Sequence, residues 1–291
     1  MREIVLPPDE ASKRLENFLK KEFPIGHVRK IFRRNAVRLN GKRAKPDDPI
    51  RGGDRVQLFI DYERPSAPRA QPARFAVVYE DEGLLVVNKP AGLAVHEGKT
   101  VRKKDSLLGL LEARYRERGI KPELVHRLDR DTSGLLLVAK DARTAAELIG
   151  RFETGAVGKE YLCLVVGRLS SHEGRIDFPL PGREGQPVRA LTRYRVIKKF
   201  SDTTLVRVVL ETGRLHQIRL HFAKLGHPVV LDDQHGDFAF NKRFRKEYGL
   251  KRQFLHAETL KADYRGRARE WAAPLAKDLD DTLRALESTR D

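Results

Sequence analysis

A single cysteine, Cys163, stands among 291 residues. That scarcity excludes an internal disulfide and any zinc site built from several thiolates, and it points to a reducing compartment, the cytoplasm. Cys163 lies within the apolar run Tyr161-Leu162-Cys163-Leu164-Val165-Val166, where a thiol reads as inert core. Long apolar runs and amphipathic anchors are lacking too, so no membrane partner is expected. The first residues, Met1-Arg2-Glu3-Ile4-Val5-Leu6-Pro7-Pro8, have none of the apolar core that a secretory signal needs. Negative charge is also short: 58 Lys and Arg face 41 Asp and Glu, a formal net charge of +17. Such a surface attracts polyanions and releases their counterions on binding, which makes nucleic acid the expected partner.

Forty per cent apolar and 34% charged residues describe a soluble globular chain, and the length allows about two domains. Residues 62–74 contain three prolines among small residues with no apolar period, and they read as a stiff, extended linker. It separates a module over 1–61 from a larger domain over 75–291. In the small module Leu15, Phe18, Leu19 and Phe23 fall on one helical face, with Ser12 as a candidate cap. A second helix is predicted from His27 to Asn35. Its Val28, Ile31 and Phe32 share one side, while Arg29 and Arg33, and Lys30 and Arg34, stack at i,i+4 on the other. Like charges stacked this way repel unless a polyanion lies across them. Asn40-Gly41 is a hairpin turn signal, and Gly52-Gly53-Asp54 turns into the strand at Arg55-Val56-Gln57-Leu58. Over residues 12–59 this α+β pattern resembles the small RNA-binding domain first known from a small-subunit ribosomal protein. Fifteen Lys and Arg against eight Asp and Glu over residues 1–60 suit that role, and we read the module as a tethered RNA grip.

From Phe75 onward strands and helices alternate. Ala76-Val77-Val78-Tyr79 and Leu84-Leu85-Val86-Val87-Asn88 are strand-like around an acidic turn, and Leu135 to Lys140 leads into a helix capped by Asp141. In that helix Ala145, Leu148, Ile149 and Phe152 are expected to face the core. Tyr161 to Val166 and Thr204 to Leu210 read as a pair of strands. Several strands follow one another without a helix between them, so the predicted fold is mixed α/β with a largely antiparallel sheet.

The densest run of ionisable groups is His126-Arg127-Leu128-Asp129-Arg130-Asp131-Thr132-Ser133-Gly134, where arginines bracket a carboxylate just before a strand. Charged loops are often only solvated loops, but a carboxylate so placed is a candidate catalytic group. Lys159-Glu160-Tyr161 sets a phenol near a strand start. Gly213-Arg214-Leu215-His216-Gln217-Ile218-Arg219-Leu220-His221 is rich in donors, and its two histidines lie five apart, off the spacing of a helical zinc pair. His256, in Phe254-Leu255-His256-Ala257, reads as a hydrogen-bonded core residue.

These segments, together with Val86-Val87-Asn88-Lys89-Pro90-Ala91-Gly92 and Gly226-His227-Pro228, occur in the order found in one family. Residues 75–279 resemble the RluA family of pseudouridine synthases, which isomerise uridine within RNA. The resemblance implies a pseudouridine synthase fold and a reaction that needs neither metal nor cofactor. It also implies Asp129 as the catalytic carboxylate, Arg219 as its guanidinium partner, and Tyr161 against the target base, where it can take the ring-carbon proton. Whether Asp129 attacks the anomeric carbon or deprotonates the neighbouring sugar carbon stays open. Arg29, Lys30, Arg33, Arg34, Arg127, Arg130 and His216 are the expected RNA contacts. Gly236-Asp237-Phe238-Ala239-Phe240-Asn241 and Gly249-Leu250-Lys251-Arg252 narrow the resemblance to members acting on large-subunit ribosomal RNA. Transfer RNA is the alternative substrate, and a non-catalytic ribosome-assembly protein or a metal-dependent phosphodiesterase is the alternative class. The chain is expected to act as a monomer. It departs from the family pattern at Leu215 (usually threonine), Leu231 (commonly glycine), Arg130 (commonly lysine) and Gln234-His235-Gly236 (a basic residue, tyrosine and glycine).

Overall fold

The computed structural model describes residues 2–8, 10, 14–23, 25–59, 75–98, 101–182 and 185–288. The chain forms two compact units, Met1–Ala70 and Gln71–Asp291. Ser12, the linker expected over 62–74 and the side chain of Lys30 lie outside the described residues.

The first unit runs β1 (Arg2–Val5), α1 (Leu15–Glu22), α2 (Ile25–Arg33), β2 (Val37–Leu39), β3 (Lys42–Arg43) and β4 (Arg55–Leu58). Its four strands lie in the order β1-β4-β2-β3. Asn40 and Gly41 both take positive φ, 51° and 79°, as a two-residue hairpin turn of this sequence requires. Leu15, Phe18, Leu19 and Phe23 pack with Val28 and Ile31 over the sheet, so the predicted apolar stripes are the core. Helix α2 begins and ends two residues earlier than predicted; its end is set by Asn35, which turns left-handed at φ 53°. Strand β1 was not predicted: two prolines follow so closely that the segment looks like a tail, yet it pairs with β4 from Arg2 to Val5.

The second unit runs β5 (Ala76–Glu80), β6 (Leu84–Lys89), α3 (Leu107–Tyr115), β7 (Glu123–Leu124), β8 (Ser133–Ala139) and α4 (Ala142–Glu153). It continues with β9 (Gly158–Val166), β10 (Glu173–Ile176), β11 (Leu180–Pro181), β12 (Pro187–Val188), β13 (Thr192–Lys199) and β14 (Thr203–Leu210). It ends with α5 (Gln217–Lys224), α6 (Phe238–Tyr248), β15 (Leu255–Tyr264), β16 (Arg267–Ala272) and α7 (Lys277–Ser288). Ten strands form one sheet, in the order β10-β13-β14-β9-β15-β8-β6-β5, with β16 on β15 and β7 on β8. All its pairings are antiparallel except β15 with β8.

The central strands are buried on both faces, which is why they read as unbroken apolar runs. Leu85, Val87, Leu136 and Val138 pack on the side of α3 and α5, while Leu84, Val86, Leu135 and Leu137 pack on α4. Asp141 caps α4 as predicted, its Oδ1 accepting from Thr144 N at 2.8 Å. Ile149 does not face the core; it is 38% exposed, and Leu148 and Ala145 supply the contact. At the parallel pairing, Gly134 takes φ 114° and sits so close to β15 that a Cβ would collide with the Ala257 carbonyl. A side chain there would push the start of β8, and the loop before it, off the sheet.

Candidate active site

The loop that joins β7 to β8 carries Asp129, and four successive residues after it are tied down by buried side chains. Lys89, fully buried, donates its Nζ to the carbonyls of Pro90, Leu93 and Arg130 at 2.9–3.0 Å. Burial without a carboxylate against the ammonium lowers it to about 7. Arg252 donates to the Asp131 carbonyl at 3.2 Å while Asp278 of α7 holds its fork at 2.7 and 2.8 Å. Gln253 donates to Thr132 Oγ1 at 2.7 Å. His256 Nδ1 accepts from Ser133 Oγ at 2.9 Å, its Nε2 facing the Ala273 carbonyl. His256 is thus the hydrogen-bonded core residue that was expected. At the loop's start His126 Nε2 accepts from Leu137 N at 2.9 Å and its ring stacks on Phe152, 4.4 Å between centroids. Burial, then Lys159, lower its imidazole to about 3, so it is neutral and structural.

The arginines next to Asp129 in sequence are not its partners. Arg130 turns to Asp131 at 3.3 Å, and Arg127 lies exposed at the cleft edge. Asp129 Oδ2 instead accepts from Arg219 Nη1 at 2.9 Å, the pairing that the resemblance implied. Arg219 is itself gripped by Asp232, a residue the sequence reading did not single out. Its Nε donates to Asp232 Oδ2 at 2.7 Å and its Nη2 to Oδ1 at 2.8 Å. Asp232 is fully buried and also accepts from the backbone N–H of Gln234 and His235 at 2.9 and 3.0 Å. Burial would raise its carboxyl, but the Arg219 bonds and the two backbone donors outweigh that and hold it below the usual carboxylate range. Asn241 of α6 fixes this corner, accepting from Leu231 N at 2.7 Å and donating to the Asp232 carbonyl at 2.9 Å.

Arg219 reaches Asp129 because a buried amide shapes the turn ahead of α5. Gln217 Oε1 accepts from Arg214 N and Thr212 Oγ1, and its Nε2 donates to the Leu191 carbonyl and Thr192 Oγ1. The turn sets His216 in the left-handed region, φ 53°, an unfavourable backbone for a residue with a Cβ. His216 Nε2 thereby comes to 3.7 Å from Asp129 Oδ1, and its Nδ1 to 3.1 Å from His235 Nε2. His221 points elsewhere, bonded to Thr192 and the Phe178 carbonyl, so the two histidines of the motif do not converge.

A cleft of about 390 Å³ opens over these groups, lined by Arg127, Asp129, Tyr161, Arg214, His216 and Arg219 among others. It is open to solvent on one side, so the groups that line it are accessible from outside. Tyr161 is the fourth residue of β9, rather than its first, and is 7% exposed. Burial, then the Asp129 charge, push its phenol up, so at neutral pH it offers the cleft a neutral ring and a hydroxyl. Cys163 is fully buried, as expected. Of the expected RNA contacts, Arg127 and His216 line this cleft and Arg130 lies on the same loop. Arg29, Arg33 and Arg34 are exposed residues of the first unit.

The chain has close relatives among known proteins. A family model described as RNA pseudouridylate synthase matches residues 83–224. Ribosomal large subunit pseudouridine synthase C of Salmonella typhi is 35% identical over 317 residues, covering 98% of this chain and 96% of the relative. The protein of the same name from Vibrio cholerae is 35% identical over 310 residues, 96% of this chain and 95% of the relative. Among solved structures, human RNA Pseudouridylate Synthase Domain Containing 4 superposes with a TM-score of 0.63 at 24% identity, over 73% of this chain and 93% of its own. Human RNA Pseudouridylate Synthase Domain Containing 1 gives a TM-score of 0.56 at 26% identity, over 76% and 97%. With an ion-paired aspartate in an open cleft and relatives this similar along its whole length, the chain belongs to the RluA family of RNA pseudouridine synthases, isomerases that act on RNA.

Proposed function

We propose that this chain converts uridine to pseudouridine in large-subunit ribosomal RNA, with Asp129 as the reacting carboxylate. The observation that carries the residue assignment is the placement of Asp129 in the cleft. One oxygen is held by Arg219 at 2.9 Å and the carboxylate is 20% exposed, so it faces whatever enters. The named substrate of the relatives carries the choice of RNA.

The reaction breaks the N1–C1′ bond, turns the uracil, and joins C5 to C1′. A proton leaves C5 and one is gained at N1, so nothing is oxidised or reduced. An anion beside the sugar serves either route, attack at C1′ or removal of the C2′ proton. Arg219 is suited to hold that anion because its fork serves two carboxylates at once, Asp129 through Nη1 and Asp232 through Nε and Nη2. Tyr161 gives the base a ring face to pack on and a hydroxyl within the cleft. A uridine inside folded RNA must leave its stack to reach this cleft, at a cost of a few kcal/mol. Contacts from Arg127 and Arg130, and from the basic helix with Arg29, Lys30, Arg33 and Arg34, offset that cost through the phosphates, while His216 meets the RNA at the cleft itself. Residues 1–61 serve as the RNA grip and residues 75–291 as the catalytic domain. The chain works as a monomer in the cytoplasm, without a metal ion.

The test is tritium release from uracil C5 on ribosomal and transfer RNA supplied separately, with and without chelator, beside Asp129→Asn. Release from ribosomal RNA by wild type alone is the expected result. Release only from transfer RNA would change the substrate, and equal release by Asp129→Asn would remove Asp129 from the chemistry. Binding without release would favour an assembly factor.

A further inference from the structure

A second histidine, outside the cleft lining but in contact with His216, has no role in that reaction. His235 Nε2 lies 3.1 Å from His216 Nδ1, with the rings edge-on at 62° and 5.3 Å between centroids. Two neutral imidazoles bonded nitrogen to nitrogen share a single proton between those atoms. If His216 carried it on Nδ1, the bare lone pair of Nε2 would face Asp129 Oδ1 at 3.7 Å, a repulsive arrangement beside an anion. If His235 donates it, His216 Nδ1 accepts, and the remaining hydrogen of His216 sits on Nε2, aimed at the carboxylate.

We propose that His235 is a positioning residue: it donates Nε2–H to His216 Nδ1 and so keeps an N–H, rather than a lone pair, on the open side of Asp129. This rests on the reaction proposed above. Asp129 then has a donor group facing each oxygen, Arg219 at Oδ2 and His216 at Oδ1, and the second one is set by a residue that never meets the substrate. At 3.7 Å the imidazole is a step short of a hydrogen bond, so it orients the free oxygen without tying it up.

Three observations support this. Backbone strain marks His216 as a residue held in place, since its φ of 53° is kept by the Gln217 amide network. The His235 backbone N–H is bonded to the Asp232 carboxylate at 3.0 Å, so the same buried acid that grips Arg219 also locates the second imidazole. Burial keeps His216 below its usual range, against the pull of Asp129 and with Arg219, His235 and Asp232 as its other charged or titratable neighbours, so it is the tautomers of neutral His216 that differ in what they show Asp129.

Two variants and one spectrum test the assignment in the full chain. His235→Phe keeps a flat ring and removes the donor, while His235→Gln puts an amide N–H near the place of Nε2. With tritiated large-subunit ribosomal RNA, we expect His235→Phe to lose roughly tenfold in kcat, the size of one hydrogen bond, at unchanged KM. His235→Gln should recover to within about threefold. Long-range ¹H–¹⁵N spectra of histidine-labelled protein should give His216 as the Nε2–H tautomer in wild type and His235→Gln, and lose that preference in His235→Phe. An Nδ1–H tautomer in wild-type His216, or a His235→Phe variant unchanged in both tautomer and kcat, would overturn the proposal. The spectrum needs no RNA, so it decides the positioning role even if wild type were inactive on every RNA, which would defeat the proposed function instead.

Discussion

Two carboxylates share Arg219, and exchanging each for its amide should separate stability from chemistry. Asp232 has no exposure and receives four hydrogen bonds, two from the guanidinium and two from backbone N–H groups. In Asp232→Asn one oxygen becomes an NH2 that must point at donors, a buried clash of about 1–3 kcal/mol. The guanidinium also loses its nearer anion. Removing one partner of a buried ion pair costs about 3–5 kcal/mol, but Arg219 keeps Asp129, so the lower end applies. The expected loss is about 3–4 kcal/mol, a large share of the roughly 5–15 kcal/mol that holds a domain folded. For a unit of this size it lowers Tm by about 10 °C. Asp129→Asn retains an acceptor for Arg219 Nη1 and leaves the Asp232 grip intact, so its stability loss should stay below about 1 kcal/mol. Turnover should show a different order: Asp129→Asn abolishes tritium release with RNA affinity kept, whereas Asp232→Asn retains a measurable fraction at a temperature where it is folded. Urea midpoints and single-turnover release on the same preparations measure both. The reasoning is refuted if Asp232→Asn melts like wild type, or if Asp129→Asn is destabilised as much.

Leu231 takes φ 60°, in the left-handed region that favours glycine, so Leu231→Gly relieves about 1 kcal/mol of backbone strain. It also empties a side chain that is 1% exposed in the core of α6 and α7, at about 2–5 kcal/mol; a net loss in the urea midpoint is expected, and a gain would reverse the ranking. His126 is neutral in the fold down to about pH 3, while in the unfolded chain it takes a proton below about 6.5. Its contribution is complete above pH 6.5 and is lost as pH falls towards 3, by about 2 kcal/mol at pH 5. His126→Gln should therefore lose correspondingly less stability between pH 7 and pH 5 than wild type. Replacing Arg29, Arg33 and Arg34 together by alanine should flatten the log–log salt dependence of RNA binding by about 2, near 0.7–0.9 for each phosphate no longer neutralised. An unchanged slope between low and physiological salt would place the RNA elsewhere.

Local pattern carried most of the fold. Apolar runs became the central strands, Asn40-Gly41 became a hairpin, and Asp141 became a cap, because each depends on neighbours within a few residues. The parallel pairing of β15 with β8 joins segments more than a hundred residues apart, and no periodicity marks it. Gly134 was visible only as a turn signal, although its function is close approach to Ala257. Adjacency misled at Asp129: Arg127 and Arg130 were the nearest cations in sequence, while the actual partner is ninety residues on.

The residues that hold the site were the hardest to read, and for a definite physical reason. A buried acid can be sought by looking for a base, but Lys89 and the loop-facing nitrogen of Arg252 are satisfied by main-chain carbonyls, which every residue supplies. Contacts of that kind leave no complementary side chain in the sequence, and Asp278, which pairs with the rest of the Arg252 fork, does not mark the loop that Arg252 holds. Asp232 has one, Arg219, yet it stands beside Asp233, and composition alone does not tell the two carboxylates apart. What distinguishes them is the left-handed turn at Leu231, locked by the Asn241 amide, which sends the first inward to Arg219 and leaves the second 71% exposed against Arg245. The site is therefore specified by the backbone of one corner as much as by its ionisable groups. Altering Asn241, which touches neither cleft nor RNA-facing arginine, should loosen Arg219 and Asp129 together.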